Sequence, residues 1–104
     1  PEAVALYQRA CDAGYQGGCD ELGRTRADGI GSPRDLPGAI VLWERACDGG
    51  FARSCARLGQ LAAEGRGVPR DAARAQRLQQ QACAGGYQPA CPTRPTTPRP
   101  TPRR

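Results

Sequence analysis

A pair of cysteines eight positions apart recurs every 36 residues, at 11 and 19, 47 and 55, and 83 and 91. No other feature constrains the fold of this chain so tightly. The surrounding segments, ACDAGYQGGC at 10–19, ACDGGFARSC at 46–55 and ACAGGYQPAC at 82–91, share the flanking Ala, both Cys, one Gly and the aromatic after it. Drift of this kind is what copies of one structural unit show. The repetition extends past the cysteines, because GIGSPRD at 29–35 matches GRGVPRD at 65–71 at the same offset.

Between these punctuated turns the apolar residues keep helical spacing. Ala39, Leu42, Trp43 and Ala46 fall at i, i+3, i+4 and i+7, and Ala75, Leu78 and Ala82 at i, i+3 and i+7, each set forming one stripe. Asp35 and Asp71 stand where a side-chain oxygen caps a helix start, and Pro37 falls in a first turn, where it is tolerated. Gly14, Gly50 and Gly86 follow the helix ends and can adopt the left-handed conformation that stops them. A second helix in each pair, over 17–28 and 53–64, carries Leu22, or Leu58 with Leu61, and runs into Asp28-Gly29 or Glu64-Gly65. No segment alternates with period two over a useful length, so the fold class is all-α. Residues 1–14 form a partial unit, about 15–50 and 51–86 full units, and 87–91 a truncated cap, because Pro89 and Pro92 bracket Cys91.

Within one unbroken helix, residues eight apart lie about 12 Å apart along the axis, whereas a disulfide needs α-carbons within roughly 7 Å. The helix has to break between them, and Ala13-Gly14, Gly49-Gly50 and Gly85-Gly86 supply the break. Local pairing, Cys11–Cys19, Cys47–Cys55 and Cys83–Cys91, uses one geometry three times, although six cysteines allow 15 connectivities. Zinc sites usually bring ligands two to four residues apart and often add His, and the chain has no His. No metal and no cofactor is expected. Free core thiols are the remaining alternative, and an even count at a fixed period argues against it. Aromatic residues make up 5% and Met is absent, so the core is thin and cross-links are needed.

Disulfides persist in oxidising compartments, which places the chain outside the cytoplasm, in a bacterial periplasm or secreted, with the mitochondrial intermembrane space as the alternative. The chain reads as part of a longer precursor: Pro1 stands where Pro37 does, without the helix that should precede it. No apolar run approaches the ~18 residues of a membrane span. Residues 1–91 hold 11 Arg against 10 acidic residues, whereas PTRPTTPRPTPRR at 92–104 adds four Arg and five Pro. That basic tail is expected to be disordered and polyproline-like, and can contact polyanions. Nothing suggests sequence-specific binding of nucleic acid, and a monomer is expected.

The pattern A-x-x-L-(Y/W)-x-x-A-C-x-x-G-(Y/F)-x-x-x-C-x-x-L-G followed by G-x-G-x-P-R-D resembles Sel1-like repeats, relatives of the tetratricopeptide repeat. It resembles specifically their disulfide-bridged, cysteine-rich branch, of which the Helicobacter cysteine-rich proteins are members, and a mitochondrial intermembrane-space assembly factor for cytochrome c oxidase has a similar layout. The resemblance covers residues 2–91. It implies a right-handed superhelix of α/α hairpins, one disulfide per 36-residue repeat, used to hold a protein or peptide partner.

In such a stack one helix of each pair lines a concave groove, so the helices at 17–28 and 53–64 offer Asp20, Arg24, Arg57 and Gln60 as partner contacts. Asp20 and Arg24 also stand at i, i+4, the spacing of a surface ion pair. Tyr15, Phe51 and Tyr87, equivalent in the three copies, read as packing residues. Trp43 aligns with Tyr7 and Gln79, and is either a buried filler or an exposed anchor. Some members of the cysteine-rich branch are described as penicillin-binding or weakly β-lactamase-like, which makes hydrolysis the rival function. The residues oppose it. Without His or Lys a serine lacks its usual base and Ser-x-x-Lys cannot be written. Ser32 lies in a turn, and Ser54 is expected to hydrogen-bond its local backbone. Asp20 and Glu21, neighbours on a helix, should point apart. No catalytic residue is therefore assigned.

Overall fold

The computed structural model describes residues 2–31 and 33–91; Ser32 and the tail at 92–104 lie outside the described residues. Five helices follow in order, α1 Glu2–Asp12, α2 Gln16–Asp28, α3 Leu36–Asp48, α4 Ala52–Glu64 and α5 Ala72–Ala84, and a 3₁₀ turn covers Gln88–Ala90. No strand occurs among the described residues. Each helix packs on its neighbours in the chain, so the molecule is a stack of α/α hairpins.

Two kinds of reversal alternate along the stack. At the cysteine bends the same backbone bonds recur: the N–H of Gly14, Gly50 and Gly86 donates to the carbonyl of Cys11, Cys47 and Cys83, and the next N–H reaches Ala10, Ala46 and Ala82. Those glycines have φ of +93°, +93° and +99°, a region that costs other L-residues roughly 1 kcal/mol or more. The bend brings Cys11 and Cys19, Cys47 and Cys55, and Cys83 and Cys91 to Cα separations of 4.5, 4.8 and 4.6 Å, and all three pairs are closed as disulfides. At the other reversals, Asp35 and Asp71 act twice. Their carboxylates accept from the N–H of Gly38 and Arg74, capping α3 and α5, while their own N–H groups donate back to the carbonyls of Arg26 and Ala62 near the ends of α2 and α4.

The first two cystines are part of the core rather than clamps on its surface. Cys11 and Cys19 are fully buried with Leu22 and Ala46, and Val4, Tyr7, Leu42 and Phe51 pack around them. Cys47 and Cys55 sit in a second cluster with Ile40, Trp43, Leu58 and Leu61. In the second unit Leu61 and Ala62 are apolar core residues, whereas of their counterparts Thr25 and Arg26 only Thr25 is buried, its hydroxyl donating to the Leu22 carbonyl.

Trp43 is a buried filler, 5% exposed. Its place is made by Gly23, where an added Cβ would stand 2.5 Å from the indole nitrogen. The aromatic residues after the bend glycines are not alike, however. Phe51 and Tyr87 are half-buried against the core, but Tyr15 is 69% exposed and corrects the packing role expected for it. Phe51 rests on Gly17 of the hairpin before it, and no hairpin precedes Tyr15 among the described residues. Replacing Gly23→Ala should overpack this seam and lower unfolding stability by roughly 1–3 kcal/mol, read as a lower urea midpoint with an unchanged m-value.

Candidate functional site

α2 and α4 are equivalent helices of successive units, and a buried carboxylate joins them. Asp20, on α2, is fully buried. Its Oδ1 accepts from Ser54 Oγ at 2.6 Å and Arg57 Nε at 3.0 Å, and its Oδ2 accepts from Arg53 Nε at 2.9 Å. Arg53 Nη2 lies 2.8 Å from both Asp20 Oδ2 and Glu21 Oε2, so one guanidinium bridges neighbouring acids that were expected to point apart. A buried carboxylate is tolerated because its lone pairs are filled by charged and hydroxyl donors. The Asp20 backbone takes part as well, since its carbonyl accepts the Trp43 indole N–H at 3.1 Å.

Two local expectations are corrected by this network. Asp20 is not an open groove contact: its oxygens are spent on α4, and Arg24 pairs with Glu21 at 2.9 Å and Asp28 at 3.6 Å rather than with Asp20. Ser54 binds Asp20, 34 residues away, rather than its own backbone. A hydroxyl with no exposed surface, committed to a carboxylate, has no path to a substrate.

Burial opposes the charge of Arg53, but the attraction and hydrogen bonds of Asp20, then Glu21, outweigh it and hold the guanidinium pKa above its ordinary value. The hydrogen bond from Arg24 to Glu21 does the same for Arg24 against a smaller burial effect. A base whose pKa is raised on folding adds stability that is complete below its unfolded pKa and fades only above it. For guanidinium groups that limit lies beyond working pH, so these ion pairs do not weaken on the alkaline side.

On the outer side of this seam α4, α5 and the terminal 3₁₀ turn enclose an open cleft of about 420 Å³. Arg57 and Gln60 line it, and so do Arg53, Gln79 and Tyr87. Of the four residues nominated from sequence, Arg57 and Gln60 thus share one surface, while Asp20 lies beneath it and Arg24 stays with its acidic neighbours on α2. Arg53 was missed; its equivalents in the other copies are Gly17 and Pro89, and that departure was the available signal. Arg57 also stands over Trp43, its guanidinium carbon 5.4 Å from the ring centroid, and Arg53 over Phe51 at 5.6 Å. Such stacking fixes the direction in which a flexible side chain points. The lining therefore presents fixed cations, amide groups and one phenol ring, a set that can bind carboxylate and backbone groups. Asp20→Ala should lower unfolding stability by about 3 kcal/mol, the low end for breaking a buried pair because both guanidiniums keep access to water. Chemical denaturation measures it.

The Sel1 repeat family model matches residues 1–15, 18–51 and 52–87. No curated protein matches the chain by sequence. Among solved structures, a Sel1 repeat protein from Oxalobacter formigenes superposes with a TM-score of 0.83 at 28% identity, covering 86% of this chain and 36% of that one. Helicobacter pylori cysteine rich protein B gives 0.80 at 27% identity, over 85% of this chain and 66% of that one. A protective antigen of uropathogenic Escherichia coli strains displaying an SLR fold gives 0.75 at 27%, over 81% and 18%. The chain thus spans between about a fifth and two thirds of the length of these structures. With the repeated bends, the paired turns and the disulfides in matching register, the chain belongs to the Sel1 repeat family.

Proposed function

We propose that the chain is an extracytoplasmic scaffold that, as a monomer, holds a protein or peptide partner in the cleft on the α4 face. Sel1 repeat proteins are typically interaction scaffolds and generally not enzymes. The observation that carries the reading is the cleft itself. It is open and lined by Arg53, Arg57, Gln60, Gln79 and Tyr87, and its two guanidiniums are held from behind by Asp20. Donors positioned before the partner arrives lose less side-chain entropy on binding than free ones do. Three closed disulfides support an oxidising compartment. Among the described residues, no helix is long and apolar enough to cross a membrane.

Photo-crosslinking in the native compartment tests the site. A benzophenone amino acid at position 60, on the exposed rim, should trap a partner, whereas one at the exposed position 41 on α3 should trap little or none. Crosslinks from position 41 alone would place the partner on another face and defeat the reading.

A further inference from the structure

Positions 43 and 79 are equivalent in successive units, and their side chains make the same hydrogen bond. Trp43 Nε1 donates to the carbonyl of Asp20, and Gln79 Nε2 to the carbonyl of Ala56, each at 3.1 Å and each 23 residues back. Each also faces a glycine of the preceding helix: Trp43 lies over Gly23, and Gln79 over Gly59, where an added Cβ would stand 2.7 Å from Nε2. Gln79 therefore replaces the indole N–H but not the ring that carries it. What the missing ring leaves is an open hollow of about 370 Å³ between α4 and α5, with Gly59, Ala63, Ala75 and Ala90 among its walls. It joins the cleft described above through Ala63, Gln79 and Ala90, which border both.

We infer that this hollow receives an aromatic side chain of the partner, and that a carboxylate next to that ring meets Arg53 and Arg57 at the mouth of the cleft. The inference rests on the cleft being the docking site. The internal repeat supplies the pattern for the ring, because one unit earlier the same wall is covered by an indole with Arg57 across its face. The volume is at the low end for a ligand site, suited to one large side chain. Charge supplies the rest. Two guanidiniums and no acidic residue line the cleft, and their bonds to Asp20 and Glu21 use Nε and Nη2, leaving Nη1 to point elsewhere. Trp and Tyr are also enriched among the residues that anchor protein interfaces. The tail at 92–104 contains neither an aromatic nor an acidic residue, so it does not carry this chemistry.

The test is an NMR titration of the whole chain with acetyl-Asp-Trp-Asp-amide. The Gly59 backbone amide and the Gln79 side-chain amide should shift, and the same peptide with Leu for Trp, or Lys for both Asp, should bind at least about tenfold more weakly, a difference of roughly 1.4 kcal/mol. Gln79→Trp, which fills the hollow with the side chain the preceding unit uses, should abolish the peptide-induced shift of the Gly59 amide without lowering the thermal midpoint. Ala63→Trp, on the exposed rim, blocks the same space without entering the core. Undiminished binding to either folded variant, equal binding of the Leu peptide, or no shift at millimolar peptide would overturn the inference. So would Gly59 shifts that grow with protein concentration alone and vanish in Tyr15→Ser, which assign the hollow to a second copy, or that vanish when 92–104 is removed, which assign it to the tail. A crosslink from position 60 that survives in Gln79→Trp would defeat the aromatic pocket and leave the cleft reading standing. Loss of crosslinking from position 60 in the wild type would defeat the cleft reading itself.

Discussion

A chain whose apolar content is mostly Ala and Leu turns back on itself at each cysteine bend, and at each bend a sulfur–sulfur bond holds the reversal. The bond closes a loop of about nine residues, which in a chain-entropy account is worth roughly 2.5 kcal/mol per bridge as an upper figure. That gain is large beside the few kcal/mol that separate folded from unfolded states in a small domain. The bridges also fill space. In the first two units the sulfurs are buried among Leu22, Ala46, Ile40 and Leu58 and take the place of larger side chains the composition lacks. Covalent closure and core packing are the same atoms here. The positive-φ glycines make the closure possible, since no other residue turns the chain that sharply without strain.

A stack of hairpins needs register as well as closure, and between the two full units register comes from a polar seam. Asp20 is read by Ser54, Arg53 and Arg57 on the side of its carboxylate and by Trp43 on the side of its carbonyl. A shift of α4 by one residue along α2 would leave a carboxylate buried without donors, an arrangement costing several kcal/mol. The seam also borders the cleft. Arg53 and Arg57, two of the groups that satisfy Asp20, line that cleft as well, so the same side chains belong to the junction between units and to the surface beside it.

Much of this was legible in the residues. The 36-residue metre, the Gly breaks and the Asp caps predict the helices, their order and the disulfides, because each is a local rule repeated from one unit to the next. Trp43 was legible as a large side chain at a stripe position, though only the contact with Gly23 decides that it is buried. What escaped was long-range and specific to one copy. Asp20 and Arg24 looked like an exposed pair because i, i+4 spacing is visible in sequence, whereas Ser54 and Arg53 lie more than 30 residues from Asp20 and differ from their counterparts in the other units. Tyr15 misled for a related reason: equivalent positions share a role only when they share neighbours.

The central claim is that each bend is closed by its own pair of cysteines. Mass-spectrometric mapping of denatured, unreduced protein tests it most directly. The account predicts no free thiol and three links, Cys11–Cys19, Cys47–Cys55 and Cys83–Cys91. Links between different units, or six free thiols in protein taken from its native compartment, would contradict it.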